Sequence, residues 1–445
     1  MKPLLITDAC IVNEGCISEG DVLVIDGRIE QIGAGLPAPE RSDVLEAGGR
    51  LLLPGFIDDQ VHFREPGLTR KGDIYTESTA AVAGGITSFM DMPNVKPATT
   101  DRAALAAKYA RASGRARANY AFYFGATNEN IDQVRQLQPG EACGIKCFMG
   151  ASTGNLLVDD PVALENLFAD APMLIATHCE DSPMISAAEA AARRQYGEEV
   201  PMSEHPAIRS AEACYRSSAR AVELARTNDA RLHILHLTTA REMELFEPGP
   251  PVGKRITAEV CVHHLFFDDS DYEALGTRIK CNPAIKTAAD REALLAALVE
   301  GRIDVVATDH APHLADEKAG SYFRAPAGLP LVQHALLSLF EHYHEDRLSL
   351  ETIVGKTSHA VADIFGIKDR GYIREGYWAD LVLVDPEGGT EVTSDSLLSK
   401  CGWSPFEGQR FRAAIAATLV NGVVAWRDGA LTGAISGRHL ECWSR

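Results

Sequence analysis

The chain has no run of about 18 apolar residues, which removes the signature of a helical membrane span. Its first residues, Met1-Lys2-Pro3-Leu4-Leu5-Ile6-Thr7-Asp8, hold too short an apolar core for a secretory signal, so a cytoplasmic location is expected. No Cys-x-x-Cys pair occurs among ten cysteines. Several, such as Cys147, Cys261 and Cys281, stand in apolar runs and read as buried free thiols, not as a disulfide framework or a Cys₄ zinc site. Basic residues are in deficit: 43 Lys and Arg face 62 Asp and Glu, a formal charge of -19, which argues against nucleic acid as a partner. An anionic small substrate stays open, because local arginines outweigh the global sum at short screening lengths. No GxGxxG or GxxxxGK[ST] loop follows an early strand, so a doubly wound nucleotide-binding sheet lacks support.

What is present is a large apolar complement, 46% of 445 residues, and a change of texture along the chain. Residues 1–50 read as short strands joined by tight turns, with Asp26-Gly27 as a hairpin dipeptide. The C-terminal part has the same texture, with Leu381-Val382-Leu383-Val384 and a turn at Asn421-Gly422. Residues 1–50 and 378–445 are therefore expected to pair into one composite β-sandwich domain. Between them, over 51–377, eight β-rich runs occur at 52–63, 86–93, 119–126, 144–149, 172–178, 231–237, 256–264 and 303–309. Helical stretches such as 101–113, 186–195, 208–227 and 289–300 separate many of them. Eight strand-then-helix repeats predict an α/β fold, a (β/α)₈ TIM barrel.

Catalytic groups in such a barrel sit at the C-terminal strand ends. The ends carry Gln60-Val61-His62-Phe63-Arg64, Pro93-Asn94, Lys146 near Cys147-Phe148, His178, His236 and Thr308-Asp309-His310-Ala311-Pro312-His313. Alternation along a strand predicts that Asp58, Gln60, His62 and Arg64 share one face, and Asp59, Val61 and Phe63 the other. Singly, each polar residue has a plain reading: a hydrogen-bonded core histidine, a snorkelling lysine or a capping aspartate. In register on successive strand ends they read as one site. His263-His264, after Glu259, are expected to be structural. His342 and His344 are expected to be solvated, and Met90 and Met92 to pack in the core.

The motif Asp58-x-Gln60-x-His62-x-Arg64-Glu65-Pro66-Gly67 resembles the dihydroorotase signature of the cyclic-amide hydrolases in the amidohydrolase superfamily. Gln60 stands where that signature carries a first histidine. Thr308-Asp309-His310-Ala311-Pro312-His313 resembles the same group's late motif, and Gly144-Ile145-Lys146 the strand whose lysine is carboxylated by CO₂. The resemblance implies Zn²⁺, one or two per subunit, held by His62, Asp309, His178 and His236 and bridged by Lys146 as a carbamate. Gln60 would be a weak contact or would only orient a ligand. Asp309 would be the catalytic proton carrier. Arg64, Asn94 and His313 would bind a substrate carboxylate, Asn282 would read the ring amide, and Ala327 and Gly328 would offer backbone groups to the ring.

Three readings follow from the resemblance. The first is reversible hydrolysis of (S)-dihydroorotate to N-carbamoyl-L-aspartate, whose carboxylate suits Arg64. The second is an allantoinase or a dihydropyrimidinase/hydantoinase-type hydrolase, with no such carboxylate. The third is a catalytically silent scaffold subunit for aspartate transcarbamoylase, which would be expected to lose several ligands. A homodimer, or a higher homo-oligomer, is expected by the same resemblance.

Overall fold

The computed structural model describes residues 2–150 and 156–442. Eight parallel strands form its centre: β1 Phe56–Val61, β2 Ile86–Asp91, β3 Asn119–Phe122 resuming after Tyr123 as Phe124–Gly125, β4 Ile145–Phe148, β5 Ile175–His178, β6 Leu232–Ile234, β7 Ile256–Cys261 and β8 Val305–Ala307. Each pairs in parallel with its neighbour. The ring closes through the Val61–His310 bridge and the His62 N–H, which donates to His310 O at 2.7 Å. Each of the eight predicted runs contains one of these strands. The reason is physical: parallel strands covered on both faces read as continuous apolar runs, and nearly every strand residue here is buried.

Helices cover the outside, and their starts follow local capping chemistry. Asp73 accepts from the N–H groups of Tyr75 and Thr76 to open Ile74–Ala83. Ser210 opens Ala211–Asn228, which turns Ala213, Ser217, Ala221 and Ala225 inward at helical spacing. All ten cysteines are free thiols and eight are buried. Among the described residues no helix is long and apolar enough to cross a membrane.

A nine-stranded sheet draws on both ends of the chain. Its core contains Ile6, Val22, Leu52, Leu381 and Leu419. One boundary differs from the sequence reading. Leu51–Pro54 is not part of the first barrel strand; it lies in the terminal sheet, antiparallel to Leu381–Asp385 and parallel to Leu4–Asn13. The chain passes from sheet to barrel at Gly55, where a Cβ would stand 2.2 Å from the Thr87 side chain. Only glycine fits that crossing.

Candidate active site

A cleft of about 300 Å³ opens at the C-terminal ends of the barrel strands. It is lined by Gln60, His62, Arg64, Asn94, Lys146, His178, His236, Asn282, Asp309, His313, Ala327 and Gly328, so every predicted site residue reaches one cavity. Three of them, Arg64, His236 and Asp309, take positive φ values of 66°, 42° and 49°. Left-handed backbone outside glycine is uncommon and costs about 1–3 kcal/mol, so the surrounding contacts must hold it.

On one side, His62 and Asp309 meet. His62 Nδ1 lies 2.7 Å from Asn94 Oδ1, which can only accept. The ring therefore carries a proton on Nδ1 and points Nε2 at Asp309 Oδ1, 2.9 Å away. A nitrogen this close to a carboxylate oxygen needs positive charge between them, a proton on Nε2 or a metal ion in its place. Burial acts to raise the Asp309 pKa, but His62, His263 and Lys146 outweigh it and hold the group below the usual carboxylate value. Gln60 donates from Nε2 to Asp309 Oδ1 at 3.1 Å, while its Oε1 accepts from the Cys261 thiol at 3.8 Å. Its carbonyl thus faces Cys261, and it meets Asp309 as a donor.

On the other side, His178 Nδ1 and His236 Nε2 stand 2.9 Å apart. His178 Nε2 donates to Glu180 Oε2 at 2.9 Å, and Arg209 pairs with the same oxygen at 2.5 Å. Burial alone would raise Glu180; Arg209 and His178 overcome it and bring the carboxyl to about 2. The anchored Glu180 fixes the His178 tautomer with Nδ1 free, the arrangement that orients metal-bound histidines. Burial pushes His178 down, and burial with the neighbouring His178 pushes His236 well down, so both rings are neutral donors. His236 Nδ1 is buried without a hydrogen-bond partner. Lys146 lies between the two sides, 1% exposed, with its amine 4.6 Å from the Phe148 ring centre. Burial brings that amine down to about 8, against the pull of Asp309 and Glu259.

A third group is cationic. Arg64, 7% exposed, donates from Nε to Pro312 O at 3.0 Å. Lys71, which can only donate, reaches His313 Nδ1 at 2.9 Å, so the His313 proton sits on Nε2 and goes to Ala327 O at 3.0 Å. Burial, Arg64 and Lys71 together hold His313 far below its usual value and keep it neutral. The terminal Arg64 nitrogen 3.0 Å from His313 Nε2 finds no lone pair there and stays available. Asn282 Oδ1 is buried and unpartnered beside it, an acceptor open to a ligand N–H.

The backbone at Ala327 and Gly328 differs from expectation. The Gly328 N–H donates to Lys280 O at 2.9 Å, and the Ala327 carbonyl is engaged by His313, so these two groups are not open to a ring. Gly328 has φ 137°, and a Cβ there would press to 2.6 Å from Ala311 O. Buried Lys318 donates to Lys280 O, Pro326 O and Gly328 O at 3.1, 2.9 and 3.0 Å. Replacing Lys318 by methionine is expected to free this edge, raising KM several-fold with kcat little changed. The same change should lower stability by about 2 kcal/mol, since hydrogen bonds to a charged group are worth about 1.5–3 kcal/mol. Steady-state kinetics and denaturant melts check both, and a normal KM would remove Lys318 from this role.

Other readings also change. Asp58 does not line the cleft; its carboxylate takes the Thr308 hydroxyl at 2.6 Å and the Thr308 N–H at 3.1 Å, bracing β1 against β8. Asp59 approaches His233 on β6, three places round the ring, on the inward face it shares with Ile57. His342 is buried, 5% exposed, and not solvated; it lies on the packed face of Ala335–His344. Glu180, Arg209, Lys71 and Lys318 went unnoticed in the sequence. Glu180, two residues past His178, was the one with a local signal.

The donor set suits metal ions: neutral imidazoles, a carboxylate and a buried amine able to become a carbamate. His62, anchored through Nδ1 on Asn94 and aimed through Nε2 at Asp309, is the observation that fits a metal ion there.

Comparison with known proteins agrees with this chemistry. The amidohydrolase family matches residues 51–425. A dihydroorotase from Halobacterium salinarum is 34% identical over 97% of this chain and 99% of its own length. An allantoinase from Rubrobacter xylanophilus is 32% identical over 98% and 97%. An L-hydantoinase (dihydropyrimidinase) from Arthrobacter aurescens, a solved structure, superposes with a TM-score of 0.93 over 100% of both chains at 26% identity.

Proposed function

We propose that this chain, which belongs to the amidohydrolase family, opens and closes the ring of (S)-dihydroorotate. The chain is a cyclic-amide hydrolase, as its relatives are named; the choice of ring is our reading. The observation that carries it is Arg64, buried in the cleft with donors left over, beside Asn94 and neutral His313. A ring bearing a carboxylate uses that cation, and an uncharged ring leaves its free donors without an anion to take them, which is costly.

In this reading His62 and Asp309 would hold one metal ion and His178 and His236 another, and Lys146 would serve both as a carbamate, formed by adding CO₂ to its neutral amine with loss of a proton. When bound, zinc polarises the scissile carbonyl and makes water a nucleophile near neutral pH. Asp309 takes the proton of the attacking water and delivers it to the leaving ring nitrogen. Arg64 clasps the substrate carboxylate through charge-assisted bonds, and the Asn94 amide N–H groups, free once Oδ1 holds His62, add to it. Asn282 Oδ1 accepts the ring N–H. Glu180 keeps His178 in its tautomer. The retention of His62, Lys146, His178, His236 and Asp309 favours an enzyme over a silent scaffold.

The test is turnover by the purified full chain, with dihydroorotate, allantoin and hydantoin compared under saturating zinc. The expected order puts dihydroorotate first; faster allantoin or hydantoin hydrolysis would displace the reading.

Gln60 supports a related expectation. An amide carbonyl is a poorer zinc donor than imidazole, and here it faces Cys261. Gln60→His is expected to tighten the metal beside His62 by about 10–100-fold, the range that changes around a metal site produce. Competition titration against a chromophoric chelator measures it. An unchanged affinity would show that position 60 does not limit binding.

A further inference from the structure

A second convergence of ligand atoms lies inside the barrel, apart from the cleft. Asp59 on β1, His233 on β6 and Glu259 on β7 are each 0% exposed, and none lines the cleft. His233 Nε2 stands 3.2 Å from Asp59 Oδ2 and 3.5 Å from Glu259 Oε2. Neither approach is aligned as a hydrogen bond: both Asp59 oxygens, His233 Nε2 and Glu259 Oε2 are buried with no hydrogen-bond partner. Native interiors rarely leave one such group unmatched, and here four atoms are unmatched around one point.

The second nitrogen of His233 tells what that point needs. The Thr257 hydroxyl donates to Leu232 O at 3.3 Å. Its oxygen therefore accepts the His233 Nδ1–H, 2.7 Å away. This fixes the ring and aims Nε2 at two carboxylates, the anchoring of a metal-bound histidine; burial works against it, but Asp59 and Glu259 hold the metal-free imidazole up at about 9, so a metal would take the place of its Nε2 proton. A divalent cation would take one lone pair from each group, and its two charges would balance the two carboxylates. The spacing also suits it. Bonds of about 2.0–2.2 Å in a tetrahedral array place donors about 3.3–3.6 Å apart, close to the two separations observed. The Tyr123 hydroxyl, also buried and unpartnered, is near enough to sense both carboxylates.

We propose that Asp59, His233 and Glu259 form a second, structural metal site for a divalent first-row cation such as zinc or manganese. The ion would tie β1, β6 and β7 together beneath the cleft. Glu259 would carry the tie upward, because its other oxygen accepts the backbone N–H of His236 at 2.9 Å. The site sits one residue from Gln60 but shares no side chain with the cleft set, so it stands whether or not the ring-hydrolase reading does.

The test uses the full chain with zinc as the probe. Crystals grown with zinc and measured above and below its absorption edge are expected to show anomalous density between Asp59, His233 and Glu259. Bound metal, counted by plasma mass spectrometry after gel filtration, is expected to fall by one equivalent per chain in Asp59→Asn. It should remain at one equivalent in a variant with His62, His178, His236 and Asp309 all replaced by alanine, whose cleft has lost the ligands of both of its metals. Absence of anomalous density at that point in the parent protein overturns the proposal, and does so even if Asp59→Asn fails to fold. Retention of the full metal count by a folded Asp59→Asn overturns it as well.

Discussion

Asp309→Asn is expected to lower kcat by about 10²–10⁴-fold, the range for a positioned acid–base group, while leaving the fold in place. Asparagine matches aspartate in size and tolerates the left-handed backbone at φ 49° that this position requires. The contact from Gln60 Nε2 at 3.1 Å can persist on the amide oxygen. What is lost is the negative charge and the ability to take and release a proton. His62 Nε2, 2.9 Å away, would then face a neutral amide in place of a carboxylate, so the metal on that side should also bind less tightly. Measuring kcat at saturating zinc separates the two effects. A variant that regains more than about a tenth of parental turnover once zinc is saturating would show that Asp309 holds metal without carrying the proton.

The barrel was legible in the sequence because each central strand is covered on both faces, and short β-rich runs such as Ile86–Asp91 and Ile175–His178, buried throughout, alternate with helical stretches. The cleft was legible because metal-ligating and charged residues recur at the C-terminal ends of several runs, as at His62, His178, His236 and Asp309. What escaped depends on contacts distant in sequence. Lys318 reads as one more charged residue in Ala315–Lys318, yet it holds three carbonyls from two segments. Asp59 was placed by strict alternation on the face away from the site. That face points into the barrel, where Asp59 meets His233, 174 positions along the chain. The break at Gly55 was invisible for a similar reason: Leu51–Pro54 runs straight into apolar Phe56 and Ile57, and only the partners of each side, Leu381–Asp385 and Ile86–Asp91, assign them to different sheets.

The identity of the ring turns on Arg64. The residues around it leave positive charge in excess: Lys71 is paired with Glu317 at 3.0 Å, His313 is held neutral, and Arg64 gives only its Nε to Pro312 O. Burial lowers even the guanidinium, to about 10, which leaves it charged at neutral pH. A substrate carboxylate would match this charge, and truncating one partner of a buried charged pair costs about 2–5 kcal/mol. Arg64→Met is therefore expected to lower kcat/KM for dihydroorotate by about 30- to 5,000-fold. Methionine keeps much of the side-chain volume, so the cleft should keep its shape. Hydantoin and dihydrouracil carry no carboxylate, and any turnover of them should change by no more than a few-fold. That asymmetry is the informative result, because a collapsed site would depress every substrate alike. Arg64→Lys should fall between the two, keeping charge but losing the planar fork. If Arg64→Met depressed charged and uncharged rings equally, Arg64 would be supporting the cleft instead of reading the substrate, and the case for a carboxylate-bearing ring would fall with it.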